Sequence, residues 1–453
     1  MPLDLIRQGA PGLKWPVIPV PDSALHMALQ FQLEQSQWLS TAELENLQWS
    51  QAQELINYAA QAVPLYRERI PKSLLDKKLT RNLWSEIPIL TRQDLIDAGD
   101  KQKSVKPLAG HDRLNKIQSS GSTGMPITAY GTQTTGLFWQ AFTAREHIWH
   151  QRDFSGKLAA IRPVGGGLRP GECSKSPHWG GAISKIFETG PAVLLSSRTD
   201  IAAQVKWLVE ENPAYLLSLP SNICELAKYC KRHEIKFSDL KQIRTMGEIL
   251  TDETIELCKE VWNVSVVDMY SAQEIGYIAL QCPEHGSYHI QSEGVLVEIL
   301  DKDNQPCSEG EIGRVVVTTL LNFGAPLIRY ELGDYAEVGS ACCCGRGLPV
   351  LNKILGRKRN MMKTPDGRVF WPSFPSRDWE SEFIKQLQVE QTAIDKLKIR
   401  IAISEPLTDS EEQRLERYFS TRFDYPFIIE FDYVERIQRS KGGKYEDFVS
   451  CLT

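Results

Sequence analysis

Ser119-Ser120-Gly121-Ser122-Thr123-Gly124-Met125-Pro126 is the stretch that decides how this 453-residue chain reads. It packs four hydroxyl side chains and two glycines into eight positions. Such a loop presents backbone N–H groups and hydroxyls that wrap around an anion and donate to phosphate oxygens. It is not the Walker loop, which needs Gly-Lys-Ser/Thr at the opening of a helix. Instead Ile127-Thr128-Ala129-Tyr130 follows and reads as a strand. Taken alone, the stretch is equally compatible with a flexible Ser/Gly surface turn.

Outward from the loop, the chain organises into three parts. Before it, Gln30 to Leu47 and Trp49 to Val63 carry apolar residues at three- and four-residue spacing, which predicts amphipathic helices. Pro64 ends the second run. After it, Lys157 to Ile161, Ala192 to Leu195 and Ala214 to Ser218 read as buried strands, alternating with helices over Ile201 to Glu210 and Ser221 to His233. That alternation predicts an α/β domain with largely parallel strands. Between Val295 and Tyr335 the pattern turns β-rich, which predicts a smaller barrel or distorted sheet. Past Gly356 a basic cluster and a Thr364-Pro365-Asp366-Gly367 turn lead into Lys396 to Ile403 (strand), Thr408 to Phe423 (helix, with Thr408 and Glu411 spaced as a capping box) and Phe427 to Val434 (strand). The expected fold class is α/β. A large N-terminal domain of mixed sheets and helices spans 1–356, with a helical lead over 1–110. A small α+β C-terminal domain spans 357–453.

Composition excludes several classes. A net charge of −5 with a sequence pI near 6.0 and no basic block argues against a nucleic-acid partner. No stretch approaches the 18 or so apolar residues of a membrane helix, so no membrane partner is expected. The start, Met1 to Arg7, lacks a secretory pattern. Ten cysteines are too few for a disulfide scaffold of this length, and the expectation is a cytoplasmic protein with reduced thiols.

Five more segments carry candidate chemistry. Met246-Gly247-Glu248-Ile249-Leu250 places a glycine where backbone can lie flat against a planar group. Tyr270-Ser271-Ala272-Gln273-Glu274 supplies an aromatic ring and a hard carboxylate suited to Mg²⁺. Ile328 to Asp334 ends in Gly333-Asp334, whose carboxylate suits two parallel hydrogen bonds from a vicinal diol. Gly356-Arg357-Lys358-Arg359-Asn360 and Arg439-Ser440-Lys441-Gly442-Gly443-Lys444 are basic turns.

In this order, over nearly the whole chain, these segments resemble the adenylate-forming acyl-CoA synthetase, adenylation-domain and luciferase superfamily. The closer resemblance is to its phenylacetate-CoA ligase-like, CapK-type branch, whose helical lead also looks like Trp38 to Ser40 and Gln61 to Tyr66. The resemblance implies that Ser119, Ser120, Gly121, Ser122, Thr123 and Gly124 hold ATP phosphates. Gly247 and Glu248 would flank the adenine and acyl pocket. The Tyr270 ring would stack on adenine, with Ser271 and Gln273 beside it, and Glu274 would coordinate Mg²⁺. Asp334 would bind the ribose, Arg357 would lie at a hinge, and Lys444 would bridge the carboxylate and the α-phosphate, with Lys441 as competitor. The sequence departs from the family at Ser271 for Gly, Gln273 for Thr, and Arg359-Asn360 at the hinge, and it has no Lys beside Met125.

Cys282-Pro283-Glu284-His285-Gly286-Ser287-Tyr288-His289 and Cys342-Cys343-Cys344 form two short groups of thiols and imidazoles that suit tetrahedral zinc. Some members of the branch bind zinc with a similar arrangement. That pattern implies Cys282, His289, Cys342 and Cys344, with His285 and Cys343 as substitutes; plain buried cysteines are the alternative.

The resulting expectation is ATP-dependent conversion of a carboxylic acid to an acyl-AMP, then transfer, by family analogy to the thiol of CoA. An amine or a carrier-protein thiol is the competing acceptor, and a catalytically silent binding protein of the same fold is the reading from another class. Trp139, Phe142, Leu219-Pro220-Ser221 and Met246 to Leu250 are the candidate acyl-pocket residues. A homodimer is an expected assembly.

Overall fold

The computed structural model describes residues 5–13, 15–118, 126–163, 168–375, 379, 383–403, 405–437, 439 and 444–452. The chain divides into two compact units, Met1–Ile354 and Leu355–Thr453.

The first unit opens with α1 (Pro21–Ser36), α2 (Thr41–Ala62), α3 (Arg81–Trp84) and α4 (Arg92–Ala98). The continuous helical spacing across Gln30 to Leu47 is therefore broken. Ser40 is an N-cap, its hydroxyl accepting from the Glu43 N–H while Glu43 Oε2 accepts from the Ser40 N–H at 2.8 Å. This local box outcompetes the apolar periodicity and starts a new helix. The break is also held from outside, because Gly347 N–H donates to Gln37 O at 2.9 Å. A Cβ at Gly347 would lie 1.7 Å from Leu39 O, so only glycine allows this approach.

A short antiparallel pair, β1 (Asn115–Gln118) and β2 (Thr128–Gly131), brackets the hydroxyl-rich loop, and α5 (Gln133–Trp149) follows with Thr132 as its cap. Then come β3 (Leu158–Arg162), β4 (Cys173–Ser176), α6 (Gly181–Ser184), β5 (Ala192–Ser196), α7 (Ile201–Glu211), β6 (Tyr215–Ser218), α8 (Pro220–Arg232), β7 (Gln242–Met246), α9 (Asp252–Trp262) and β8 (Ser265–Ala272). Strands β5, β3, β6, β7 and β8 run parallel, each buried by the apolar faces of α7, α8 and α9. Fully burying one such Leu or Ile is worth about 1.5–3 kcal/mol, so this layer is a large part of the stability.

Six more strands extend the sheet: β9 (Gly276–Gln281), β10 (Tyr288–Ile290), β11 (Val295–Leu300), β12 (Ile312–Thr319), β13 (Tyr330–Val338) and β14 (Val350–Arg357). The sheet order is β11-β12-β13-β14-β10-β9-β8-β7-β6-β3-β5-β4. The β-rich stretch is thus one wing of a single twelve-stranded sheet, not a separate barrel. The helical lead covers that wing. Tyr66 OH donates to Pro326 O at 2.9 Å and accepts from Ile328 N–H at 3.0 Å, while Trp84, Leu90, Val315, Val317 and Tyr330 share one core.

The second unit holds a hairpin of β15 (Met362–Lys363) and β16 (Val369–Phe370), then β17 (Ile384–Ala393), β18 (Lys396–Ile403), α10 (Asp409–Phe423), β19 (Ile428–Val434) and β20 (Phe448–Ser450). Its sheet order is β19-β18-β17-β20. Phe419, Phe423, Phe374 and Phe448 pack on its face. Thr408 caps α10 with the Glu411 box read from the sequence. Among the described residues no helix is long and apolar enough to cross a membrane.

Candidate active site

Ser119, Ser120, Gly121, Ser122, Thr123 and Gly124 lie outside the described residues; Gln118 and Thr128 pair across the base of their loop. The remaining motifs of the first unit converge at the carboxyl ends of β7 and β8. Gly247 ends β7 with φ +79°, and the next residue turns back toward α8. There Glu248 Oε2 accepts from Ser221 N–H at 2.9 Å, a carboxylate seated on a helix N-terminus. The two predicted pocket segments, Leu219 to Ser221 and Met246 to Leu250, therefore meet.

Tyr270 sits near the end of β8, 7% exposed, and its hydroxyl donates to Asp334 Oδ2 at 2.9 Å. The third and fourth motifs, 64 positions apart, are thereby joined. Asp334 follows Gly333 (φ +87°) on β13. That strand is anchored by buried Arg329, whose guanidinium forks onto Glu298 at 3.0 and 3.1 Å and donates to Ser85 O at 2.9 Å. Ser271 ends β8 with Ala272, and Gln273 and half-buried Glu274 form the turn into β9, with Gln273 exposed.

Immediately after Glu274, the chain lines a cavity with an empty volume of about 350 Å³ counting its open mouth. Phe138, Trp139, Phe142, Ile275, Tyr277 and Leu321 give it an apolar wall. Trp139 lies 4.5 Å from the Tyr277 ring and is 43% exposed, whereas Phe142 is buried. Among the described residues, no charged side chain lines this space.

The metal-centre candidates form a tight cluster. The ligand atoms of Cys282, His289, Cys342 and Cys344 all lie within 4.8 Å of one another. Cys342 Sγ is 3.8 Å from Cys282 Sγ, and Cys344 Sγ is 3.3 Å from His289 Nε2. Tetrahedral zinc at ordinary bond lengths demands edges of about 3.5–3.8 Å, so the donor set fits that ion. His289 Nδ1 faces Leu348 O at 3.4 Å, which leaves Nε2 for a ligand role. Burial drives the His289 imidazole down to about 4, so it is neutral at pH 7. Burial opposes ionisation of Cys344, but hydrogen bonds from Arg346 and the neighbouring thiols outweigh it and hold the thiol below its ordinary range. His285 and Cys343 stand outside this cluster.

In the second unit, Arg357 ends β14, and its carbonyl accepts from Trp371 Nε1 at 3.2 Å. Lys444 is half-buried on the segment that leads into β20. Arg359 and Asn360 grip that segment: Arg359 pairs with Glu446, and Asn360 Nδ2 donates to Phe448 O at 2.6 Å. Gln388 Nε2 donates to Glu446 O at 2.7 Å from the other side.

The family model of the CapK C-terminal domain matches residues 377–450. The phenylacetate-coenzyme A ligase of Thermus thermophilus is 27% identical over 341 residues, covering 72% of each chain. The chain is similar to phenylacetate-CoA ligases along most of its length and, over residues 377–450, to the CapK C-terminal domain. Protein CapK of Staphylococcus aureus is 22% identical, covering 89% of this chain and 88% of its own. A solved 2-hydroxyisobutyryl-CoA ligase in the postadenylation state covers 92% of both chains with a TM-score of 0.71 at 18% identity. That likeness establishes the adenylate-forming fold.

Two buried polar clusters gave no sequence signal. Glu146 of α5 binds Arg152 at 2.6 and 2.8 Å and Arg244 of β7 at 2.6 Å. Burial opposes its ionisation, yet the two guanidiniums hold its carboxyl well below the usual range. Asp268, two residues before Tyr270, accepts from Thr245 Oγ1 at 2.7 Å and from Tyr288 OH at 2.9 Å. Burial pushes its carboxyl up to about 7 in spite of those donors. Both clusters tie β7 and β8 to their neighbours just below the motif residues. Most of their partners lie too far apart in sequence for spacing to reveal them.

Proposed function

We propose that this chain is an adenylate-forming ligase that converts a carboxylic acid and ATP to an acyl-AMP and pyrophosphate, then passes the acyl group to the thiol of CoA. The observation that carries this reading is the Tyr270–Asp334 hydrogen bond, because it brings the aromatic and diol-binding motifs to one place beside a largely apolar cavity. In this reading Asp334 holds both ribose hydroxyls, the Tyr270 ring lies against the base, and Gly247 lets the backbone approach it. Ser119 to Gly124 enclose the phosphates. Glu274 would hold Mg²⁺, which would supply positive charge at the phosphates. The acid's carbon skeleton enters the space walled by Trp139 and Tyr277. Its carboxylate attacks the α-phosphorus, and Lys444 stabilises the developing charge. The smaller unit is a lid hinged near Arg357.

Cys282, His289, Cys342 and Cys344 would hold a zinc ion with all positions filled, which supplies structural bracing of two loops and no open site for chemistry. All ten cysteines are free, in keeping with a reducing, cytoplasmic setting. An amine or a carrier-protein thiol is the alternative acceptor, and a homodimer the proposed assembly.

Carboxylate-dependent ATP–pyrophosphate exchange across a panel of acids tests the reading. Exchange with at least one apolar acid is expected. No exchange with any acid, together with no ATP binding, would return the chain to the silent binding class. Offering CoA, amines and loaded carrier proteins to the active acid then identifies the acceptor.

A further inference from the structure

The two loops that supply the four-residue cluster also hold a second thiol and imidazole. Cys343 Sγ lies 3.1 Å from His285 Nε2, and both residues are exposed. The alternation along Cys342-Cys343-Cys344 explains this: the outer two residues belong to the cluster, and the middle one faces solvent. The opposite side of the cluster is closed. Trp149 stands edge-on to His289 at 5.8 Å, and the Arg346 guanidinium covers Trp149 at 4.7 Å and Trp38 at 5.0 Å. Arg346 also bridges to Glu284 at 3.4 Å, tying one loop to the other next to His285.

A four-ligand zinc site has no vacant position for an incoming or departing ion. It therefore needs an entry path. Zinc carries no geometric preference of its own, so its ligands can be replaced one at a time. A thiol and an imidazole 3.1 Å apart are within a few tenths of an ångström of the roughly 3.5 Å edge that tetrahedral zinc requires.

We propose that Cys343 and His285 form a solvent-facing capture pair through which zinc enters and leaves the buried cluster. This rests on the zinc reading of that cluster. The hydrated ion binds the His285 Nε2 lone pair and the Cys343 sulfur, whose proton passes to solvent. Cys342, Cys344, Cys282 and His289 then replace its waters and the capture pair in turn. As the ion moves inward Cys343 takes a proton back from solvent. No electron changes hands.

The test uses the full-length, zinc-loaded protein and isotopically enriched Zn²⁺, with bound isotope followed by mass spectrometry. In the unsubstituted protein the enriched isotope should replace the resident zinc at a measurable rate. Cys343→Ser and His285→Gln should each keep a single zinc per chain but exchange about tenfold more slowly, the lower end of what losing an outer-shell partner costs a zinc site. Equal rates in variant and parent overturn the capture pair and leave the cluster intact. Variants that hold less zinc at equilibrium overturn it too, since the pair would then belong to the resident site. An unsubstituted protein without zinc removes the cluster reading itself, and the capture pair with it.

Discussion

Glu146→Gln changes one atom type at the centre of the first unit and should be among the most damaging single substitutions in the chain. The carboxylate makes three charge-assisted hydrogen bonds, to Arg152 at 2.6 and 2.8 Å and to Arg244 at 2.6 Å. Its side chain is 1% exposed, as is that of Arg152, and that of Arg244 is 4% exposed. The amide keeps the volume but leaves two buried guanidiniums without a counter-charge. Removing one partner of a buried ion pair costs about 3–5 kcal/mol, so a local loss of about 4 kcal/mol is expected. Native-state hydrogen exchange reads it directly: amides of α5 and β7 should exchange about a thousandfold faster, since every 1.4 kcal/mol is tenfold. The sign with pH follows from a depressed folded-state carboxyl. Its contribution is complete above the unfolded value near 4.3 and is lost as pH falls through the folded one. The contrast between parent and variant should therefore be full at pH 7 and shrink in acid. Removing one guanidinium as well, in Glu146→Gln with Arg244→Met, should restore part of the loss. A Glu146→Gln effect below about 1 kcal/mol, or a double variant no better than the single, would refute the uncompensated-charge argument.

Other substitutions test the site and its supports. Tyr270→Phe removes the hydroxyl that holds Asp334 and should weaken ATP binding about threefold to tenfold, measured by calorimetry, with the fold unchanged by circular dichroism. Arg359→Ala frees Glu446 beside the lysine segment and should lower the adenylation kcat by about 10- to 100-fold with little change in KM, and Arg359→Lys should recover part of it. An unaffected kcat would show that Lys444 is positioned without this pair. His150 is driven down to about 4 by burial, so the unfolded chain binds a proton between about 6.5 and 4 that the folded one refuses. Stability should fall by about 3 kcal/mol as pH drops through that window, and His150→Gln, compared by urea unfolding at pH 7 and pH 4.5, should remove that part of the slope.

The sequence by itself determined what depends on near neighbours and on rare chemistry. Apolar spacing placed α7, α8, α10 and the core strands, because the helix and strand repeats act within a few residues. The Thr408–Glu411 box marked the start of α10 for the same reason. Cysteine and histidine in two short groups marked the segments that now cluster, since few other side chains hold zinc, and the family resemblance implied which four residues of them do so. The same local reading failed at Gln30 to Leu47, where apolar periodicity masked the Ser40–Glu43 box. Only the tertiary structure decided the rest. The β-rich stretch joined the main sheet, because strand partners are chosen by topology rather than by pattern. Arg359 and Asn360, which read as departures from a motif, acquired partners 87 and 88 positions away. Glu146 and Arg244, 98 positions apart, carried no sequence signal, and the fold buries them together. A buried ion pair depends on two distant elements being packed into the same low-dielectric space, and no spacing rule along the chain encodes that.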